Sequence, residues 1–282
     1  MNIMKAKYFI SIVLIAVLAS CDDFFEAPSK SSLDESVIFS TYGLASDAID
    51  GIKVPFGAVN SYRGRWLPWY GMNTDVEWYN SSENVNDNSD LAVYDAKPGN
   101  TNMNTVDQSG APNNVWALMY QGIERANLCI RGLRQYGNAT PGTEMGQLLA
   151  EAITLRAVYY ADLLKTWGDV PARFEPISTN SLYIPKTDRN IIYKQLIDDL
   201  GEAAALAPWP NETAVTTSVE RVSKAFVKGL RARLCLAAAG YSIYPDGGIR
   251  RGQVPGLSTE DLYNIAWQEC KDIIESGTVR LD

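Results

Sequence analysis

After residue 113, apolar residues recur every three or four positions through most of the chain, and this period predicts helices. From Asn114 to Arg134, Leu118, Met119, Ile123, Ala126, Ile130 and Leu133 fall on one stripe, as on a core-facing helix. Gly137 is a plausible stop. Thr140-Pro141 offers an N-cap and a first-turn proline for the next helix. That helix runs to Trp167 with Leu148, Ala152, Leu155, Tyr159 and Leu163 in register. Gly168 is its C-cap, and Pro171 forbids continuation. Asp188 caps a helix bearing Ile192, Leu196, Leu200 and Ala203, closed by Pro208. Arg221 to Ala239, dense in Ala, Leu and Val, forms the next. Ser258 and Asp261 have the spacing of a capping box, with Asp in place of Glu, and open a last helix through Ile273 and Ile274 that Gly277 ends. Earlier, Thr41 to Val54 reads as a helix with Leu44, Ala48, Ile49 and Ile52 on one face, ended or kinked by Pro55. Extended pattern is limited to short pieces near Val170 and from Val279 to Leu281. The expected class is mainly α: stacked antiparallel helix pairs in an irregular array, because the spacing is not a clean repeat.

Residues 60–113 break the pattern. They are rich in Asn, Ser, Asp and Gly and carry no sustained period. A long irregular stretch inside a compact domain is usually functional or disordered. The aromatics Trp66, Trp69, Tyr70, Trp78, Tyr79 and Tyr94 argue against disorder. Sugar recognition needs an aromatic face against the C–H face of a pyranose, with amides or carboxylates nearby for the hydroxyls. Trp66, Trp69, Tyr70, Trp78 and Tyr79 offer the first, and Asn73, Asp75 and Glu77 the second. Each stacked ring is worth roughly 1–1.5 kcal/mol, so two or three platforms give roughly millimolar to micromolar binding. The alternative is that some of these rings anchor the loop by packing inward.

Composition narrows the chemistry. The chain has 282 residues and a formal charge of −8, and an acidic chain without a basic block is not a nucleic-acid binder. Histidine is absent, which removes the commonest general base and the usual zinc ligand. Cys129, Cys235 and Cys270 lie at helical spacing without a CxxC pair, so they read as small core residues and no metal site is expected. Asn84, Asn86, Asn88 and Asp90 alternate oxygen donors like a calcium loop, but Ser89 stands where that motif needs glycine and Asp95 where it needs glutamate. Asp75 and Glu77 could be cast as a glycosidase pair, yet loop carboxylates this close in sequence are more often solvated or bonded to sugar. Neither a phosphate-binding loop nor a nucleophile elbow is present.

The amino terminus reads as an export signal over residues 1–20. Lys5 and Lys7 precede the apolar run Tyr8 to Leu18, and Ala19-Ser20 leads into Cys21. A cysteine at the first mature position resembles a bacterial lipoprotein signal. Its lipidation would moor the chain firmly, since one acyl chain binds only marginally and several do not release. Residues 21–35 then form a lipidated tether, with Phe24 and Phe25 able to dock on the body.

Several segments resemble one family, the SusD/RagB nutrient-binding lipoproteins. They are Cys21-Asp22-Asp23-Phe24-Phe25-Glu26; Trp116 to Asn127 (WALMYQGIERAN); Glu151 to Leu163 (EAITLRAVYYADL) with Trp167-Gly168-Asp169-Val170-Pro171; Lys224 to Leu236; and Ile274 to Gly277. The resemblance implies a tetratricopeptide-like helical domain over residues 36–282. It implies a glycan-binding protein without catalysis, lipid-anchored on the outer surface of the outer membrane. The implied partners are a SusC-like TonB-dependent β-barrel, an oligosaccharide and, through Cys21, membrane lipid. Members of the family are usually much longer, so this chain is expected to be the N-terminal part of such a protein. The motif residues Trp116, Tyr120, Leu155, Tyr159 and Trp167 are expected in the core, with Asn127, Arg156 and Arg233 satisfying buried polar groups. A helical scaffold of the same transporter complex, serving peptide or another ligand, is the competing expectation.

Overall fold

The computed structural model describes residues 33–58 and 114–280. Helix α1 (Glu35–Ser40) and helix α2 (Tyr42–Lys53) lead into a 3-10 turn at Val54–Gly57. After residue 113 come α3 (Val115–Tyr136), α4 (Glu144–Trp167), strand β1 (Val170–Pro171), β2 (Lys186–Thr187), α5 (Arg189–Leu206) and α6 (Lys224–Ala239). A hairpin of β3 (Tyr241–Ile243) and β4 (Ile249–Arg251) precedes α7 (Thr259–Glu275). The expected mainly helical architecture is the one observed.

Packing follows chain order. The main contacts run α3 with α4, α4 with α5, α5 with α6 and α6 with α7, while α1 and α2 pack on α3 and α2 also on α4. An array in which each helix rests on its sequence neighbour is the physics of a solenoid. The α3–α4 pair must be antiparallel. Seven residues separate the two helices and span at most about 25 Å, too short to run back along a helix of about 36 Å.

Helix ends are set by side chains the sequence supplies. Asn114 accepts from the Ala117 amide at 2.6 Å. Asp188 accepts from the Asn190 amide at 2.7 Å. Ser258 and Asp261 form the expected reciprocal capping box. Helix α4 begins later than expected: its cap is Thr143, which accepts from Gly146 at 3.0 Å. Thr140-Pro141 instead starts a turn closed by Gly142 at φ +80°. Helix α6 begins three residues after Arg221, behind Ser223.

Helix α4 is the centre of the core, buried on nearly every face. Tyr159 is fully buried, and its hydroxyl donates to the Ile52 carbonyl at 2.7 Å. Its ring lies against Gly122 of α3, where a Cβ would come within 2.2 Å of the ring. A glycine there is a packing requirement.

The motif residues hold one backbone segment, the chain leaving β1. Tyr120 donates to the Pro171 carbonyl at 2.8 Å. Asn127 donates to the Arg173 and Glu175 carbonyls at 3.0 and 3.1 Å. The Tyr160 hydroxyl accepts from the Arg173 amide at 2.6 Å. Arg156 donates to the Phe174 carbonyl and to Asn127 Oδ1, and pairs with Asp199 of α5 at 2.7 Å. Asn127 and Arg156 therefore do what was expected of them. Arg233 does not: it lies exposed on α6. Leu155 and Tyr159 are buried as expected, whereas Trp116, Tyr120 and Trp167 are partly buried at the edge of the core. Cys129 and Cys235 are core residues, but Cys270 is exposed on α7.

Lys53 Nζ lies 2.6 Å from Glu151 Oε1, and Arg221 reaches Glu151 and Asp50 at 3.4 and 3.1 Å. These pairs tie α2, α4 and the segment leading into α6 together. No strand forms at Val279; the β3–β4 hairpin was not anticipated.

Candidate functional site

The residues that sequence singled out, Cys21 and Trp66, Trp69, Tyr70, Asn73, Asp75, Glu77, Trp78 and Tyr79, lie outside the described residues, as does the calcium-like run from Asn84. The described chain does give the two junctions of the segment that carries the aromatics. At one, Phe56 stacks on Tyr159 with ring centroids 4.2 Å apart and planes within 2°. At the other, Trp116 meets Trp167 edge-on at 5.1 Å and leans on Tyr120 at 5.0 Å. Both junctions are therefore clasped by an aromatic pair to the same helix, α4. Tyr159 and Trp167 are eight residues apart, about 12 Å along the helix axis.

Trp167 also forms one wall of a cleft of about 860 Å³ between the C-terminal half of α4, the start of α5, α6 and strand β3. Gly168 lines the cleft beside Trp167, and Asp169 follows it in the chain. Gly168 has φ +73°, and its amide donates back to the Leu164 carbonyl at 3.0 Å, ending α4. A Cβ at Gly168 would lie 2.3 Å from Arg189 Nη2, so the missing side chain makes room for the guanidinium. Asp169 accepts from Arg189 Nε at 2.8 Å. Arg189 also covers the Tyr244 ring at 4.9 Å, which fixes the hairpin to the end of α4.

Asp162 and Lys165 of α4, Tyr193 of α5, Arg233 of α6 and Tyr241 of β3 line the cleft. Burial pushes the Asp162 carboxyl up to about 7, against the opposing pull of Lys165 and Arg233. Tyr241 is 67% exposed and carries the Arg251 guanidinium over its ring at 4.8 Å. Aromatic surface beside charged and hydroxyl groups suits a polar ligand with an apolar face.

Sequence reasoning missed this cleft. Its residues come from three separate stretches of chain with no shared motif. One signal was available: Tyr241-Ser242-Ile243, then Asp246-Gly247, then Ile249 has the alternation and turn of a hairpin. Gly247 takes φ +78° at that turn.

Comparison with known proteins agrees with this architecture. The chain is similar to a SusD-like protein of Formosa agariphila, 26% identical over 198 residues that cover 69% of this chain and 36% of that protein. Its fold matches a SusD homolog from Bacteroides thetaiotaomicron at a TM-score of 0.67 and 21% identity, over 88% of this chain and 43% of that one. A laminarin-binding SusD-like protein matches at a TM-score of 0.52 and 20% identity, over 67% and 39% of the two chains. The chain thus spans about a third of the curated relative and less than half of each structure. Because the sequence pattern of the SusD-like family, described as starch-binding associating with outer membrane, matches residues 59–236, well over half of the chain, the protein belongs to that family.

Proposed function

We propose that this chain is part of a cell-surface lipoprotein that binds nutrient glycans without cleaving them and hands them to a SusC-like TonB-dependent barrel. The observation that supports this reading is the family match over residues 59–236, which takes in the aromatic run 66–79 and the helices that clasp its junctions. Rings of Trp66, Trp69 and Trp78 stack on pyranose faces, while Asn73, Asp75 and Glu77 take the hydroxyls. Weak binding suits a protein that must release its ligand to a partner. The similarity to a laminarin-binding protein makes a β-glucan the first ligand to try. Lipid on Cys21 holds the protein at the outer membrane.

Affinity electrophoresis in laminarin and in a panel of other neutral glycans tests the reading. Retention in at least one gel is expected, and replacing Trp66, Trp69 and Trp78 by alanine should abolish it. Unchanged retention of that variant would refute the aromatic site. Cys21→Ala should leave the protein soluble; if it still pelleted with outer membranes in high salt, the lipid account would fail.

A further inference from the structure

The cleft beside Trp167 has a charge balance opposite to that of the whole chain. The protein carries 33 acidic and 25 basic residues. Among the described residues, however, the cleft is lined by Lys165, Arg189 and Arg233 against Asp162. These groups come from α4, α5 and α6, so the fold concentrates the positive charge; no local basic run does. Arg189 is committed to Asp169. Arg233 is different. Among the described residues no hydrogen bond or ion pair engages its guanidinium, which lies exposed and acts on Asp162 only through space. A planar guanidinium held over a cleft is the group best suited to carboxylate or sulfate oxygens. The ammonium of Lys165 is exposed on the same side of α4, one turn from Asp162. Tyr241 and Tyr193 line the same space and supply apolar ring surface. The volume of about 860 Å³ lies within the range of small-ligand sites.

We propose that this cleft binds an anionic sugar unit, a uronate or a sulfate ester, with its anion on Arg233 and Lys165 and its ring against Tyr241. The sugar class rests on the glycan-binding reading given above; the preference for an anion rests on the cleft alone. The proposal uses none of the residues of the aromatic run 66–79. Asp162 tunes the cleft. Once ionised, its carboxylate offsets part of the positive charge, shared with Lys165 on its own helix and with Arg233 facing it from α6, while Arg189 at the α5 end is already neutralised by Asp169.

Isothermal titration of the full chain tests the proposal with four probes: trigalacturonate, a κ-carrageenan tetrasaccharide, neutral laminaritriose and tetraglutamate. The first two should bind more tightly than laminaritriose, and more weakly as salt is raised from about 0.05 to about 0.5 M. Arg233→Ala should weaken them roughly ten-fold, with laminaritriose unchanged. Tyr241→Ala should weaken them while their salt dependence persists. Both side chains are exposed, so thermal unfolding should be unaltered; Lys165→Ala provides the same test from the other cation. Binding of only one acidic probe would identify the anion as carboxylate or sulfate. No preference for either acidic probe, a preference untouched by both Arg233→Ala and Lys165→Ala, or equal binding of tetraglutamate would overturn the proposal. Laminaritriose bound equally by wild type and Arg233→Ala, with neither acidic probe preferred, would leave glycan binding standing and remove the anionic site.

Discussion

Trp116 and Trp167 meet edge to face at 5.1 Å, and this contact joins the return of the chain at Asn114 to the wall of the charged cleft. An edge-to-face pair is worth about 0.5–1.5 kcal/mol beyond the area it buries. Trp116→Ala should therefore destabilise the fold by about 2–3 kcal/mol. The double variant with Trp167→Ala should lose less than the two single losses combined, because the shared contact can be lost only once. Urea denaturation of the three variants measures this coupling.

The buried pair Arg156–Asp199 connects α4 to α5 with both side chains under a tenth exposed. Asp199→Ala leaves a guanidinium without its counter-charge and should cost about 3–5 kcal/mol. Asp199→Asn keeps an acceptor and should cost less. Chemical denaturation at pH 7 ranks the two; equal losses would mean that a neutral acceptor recovers nothing and that the charge carries the whole interaction.

Asp162 makes stability depend on pH in a defined direction. Its folded carboxyl titrates near 7 because burial disfavours the anion, whereas in the unfolded chain it titrates near 4. Between about pH 4 and 7 the folded state binds more protons than the unfolded state, so this group lowers stability as pH rises through that window. Asp162→Asn removes the penalty. The melting temperature of the variant relative to wild type should be nearly unchanged at pH 4, rise through pH 7 and then level off. A gain already complete at pH 4 would contradict the raised titration.

Gly142 isolates backbone strain, whereas Gly168, at φ +73° and ψ −111°, combines its own strain with crowding. Both have positive φ, but a Cβ at Gly142 meets nothing within 4 Å, whereas at Gly168 it meets Arg189. Gly142→Ala should cost about 1–2 kcal/mol from conformation alone. Gly168→Ala should cost more, since it also displaces the Arg189–Asp169 pair. Differential scanning calorimetry of the two variants compares them directly.

Much of the scaffold was legible in the chain because its helices announce themselves twice, by stripe and by cap. Asn114, Asp188 and the Ser258–Asp261 box each mark a helix start that the structure retains. Thr140-Pro141 misled because Gly142 turns the chain and passes the cap to Thr143. Arg233 misled because α6 is rich in alanine on several sides, so its period does not tell the buried face from the open one. Helix α1 is too short to show a period, although Phe39 is buried against α3. The cleft was not legible at all. It exists only where α4, α5, α6 and the hairpin converge, and no pattern in one segment encodes a meeting of four.

The paired clasps at Phe56–Tyr159 and Trp116–Trp167 have a mechanical consequence. With both pairs seated on one helix, a change in the tilt of α4 would carry Phe56 and Trp116 with it. Strain entering at one pair is therefore felt at the other, about 12 Å away along the same rod.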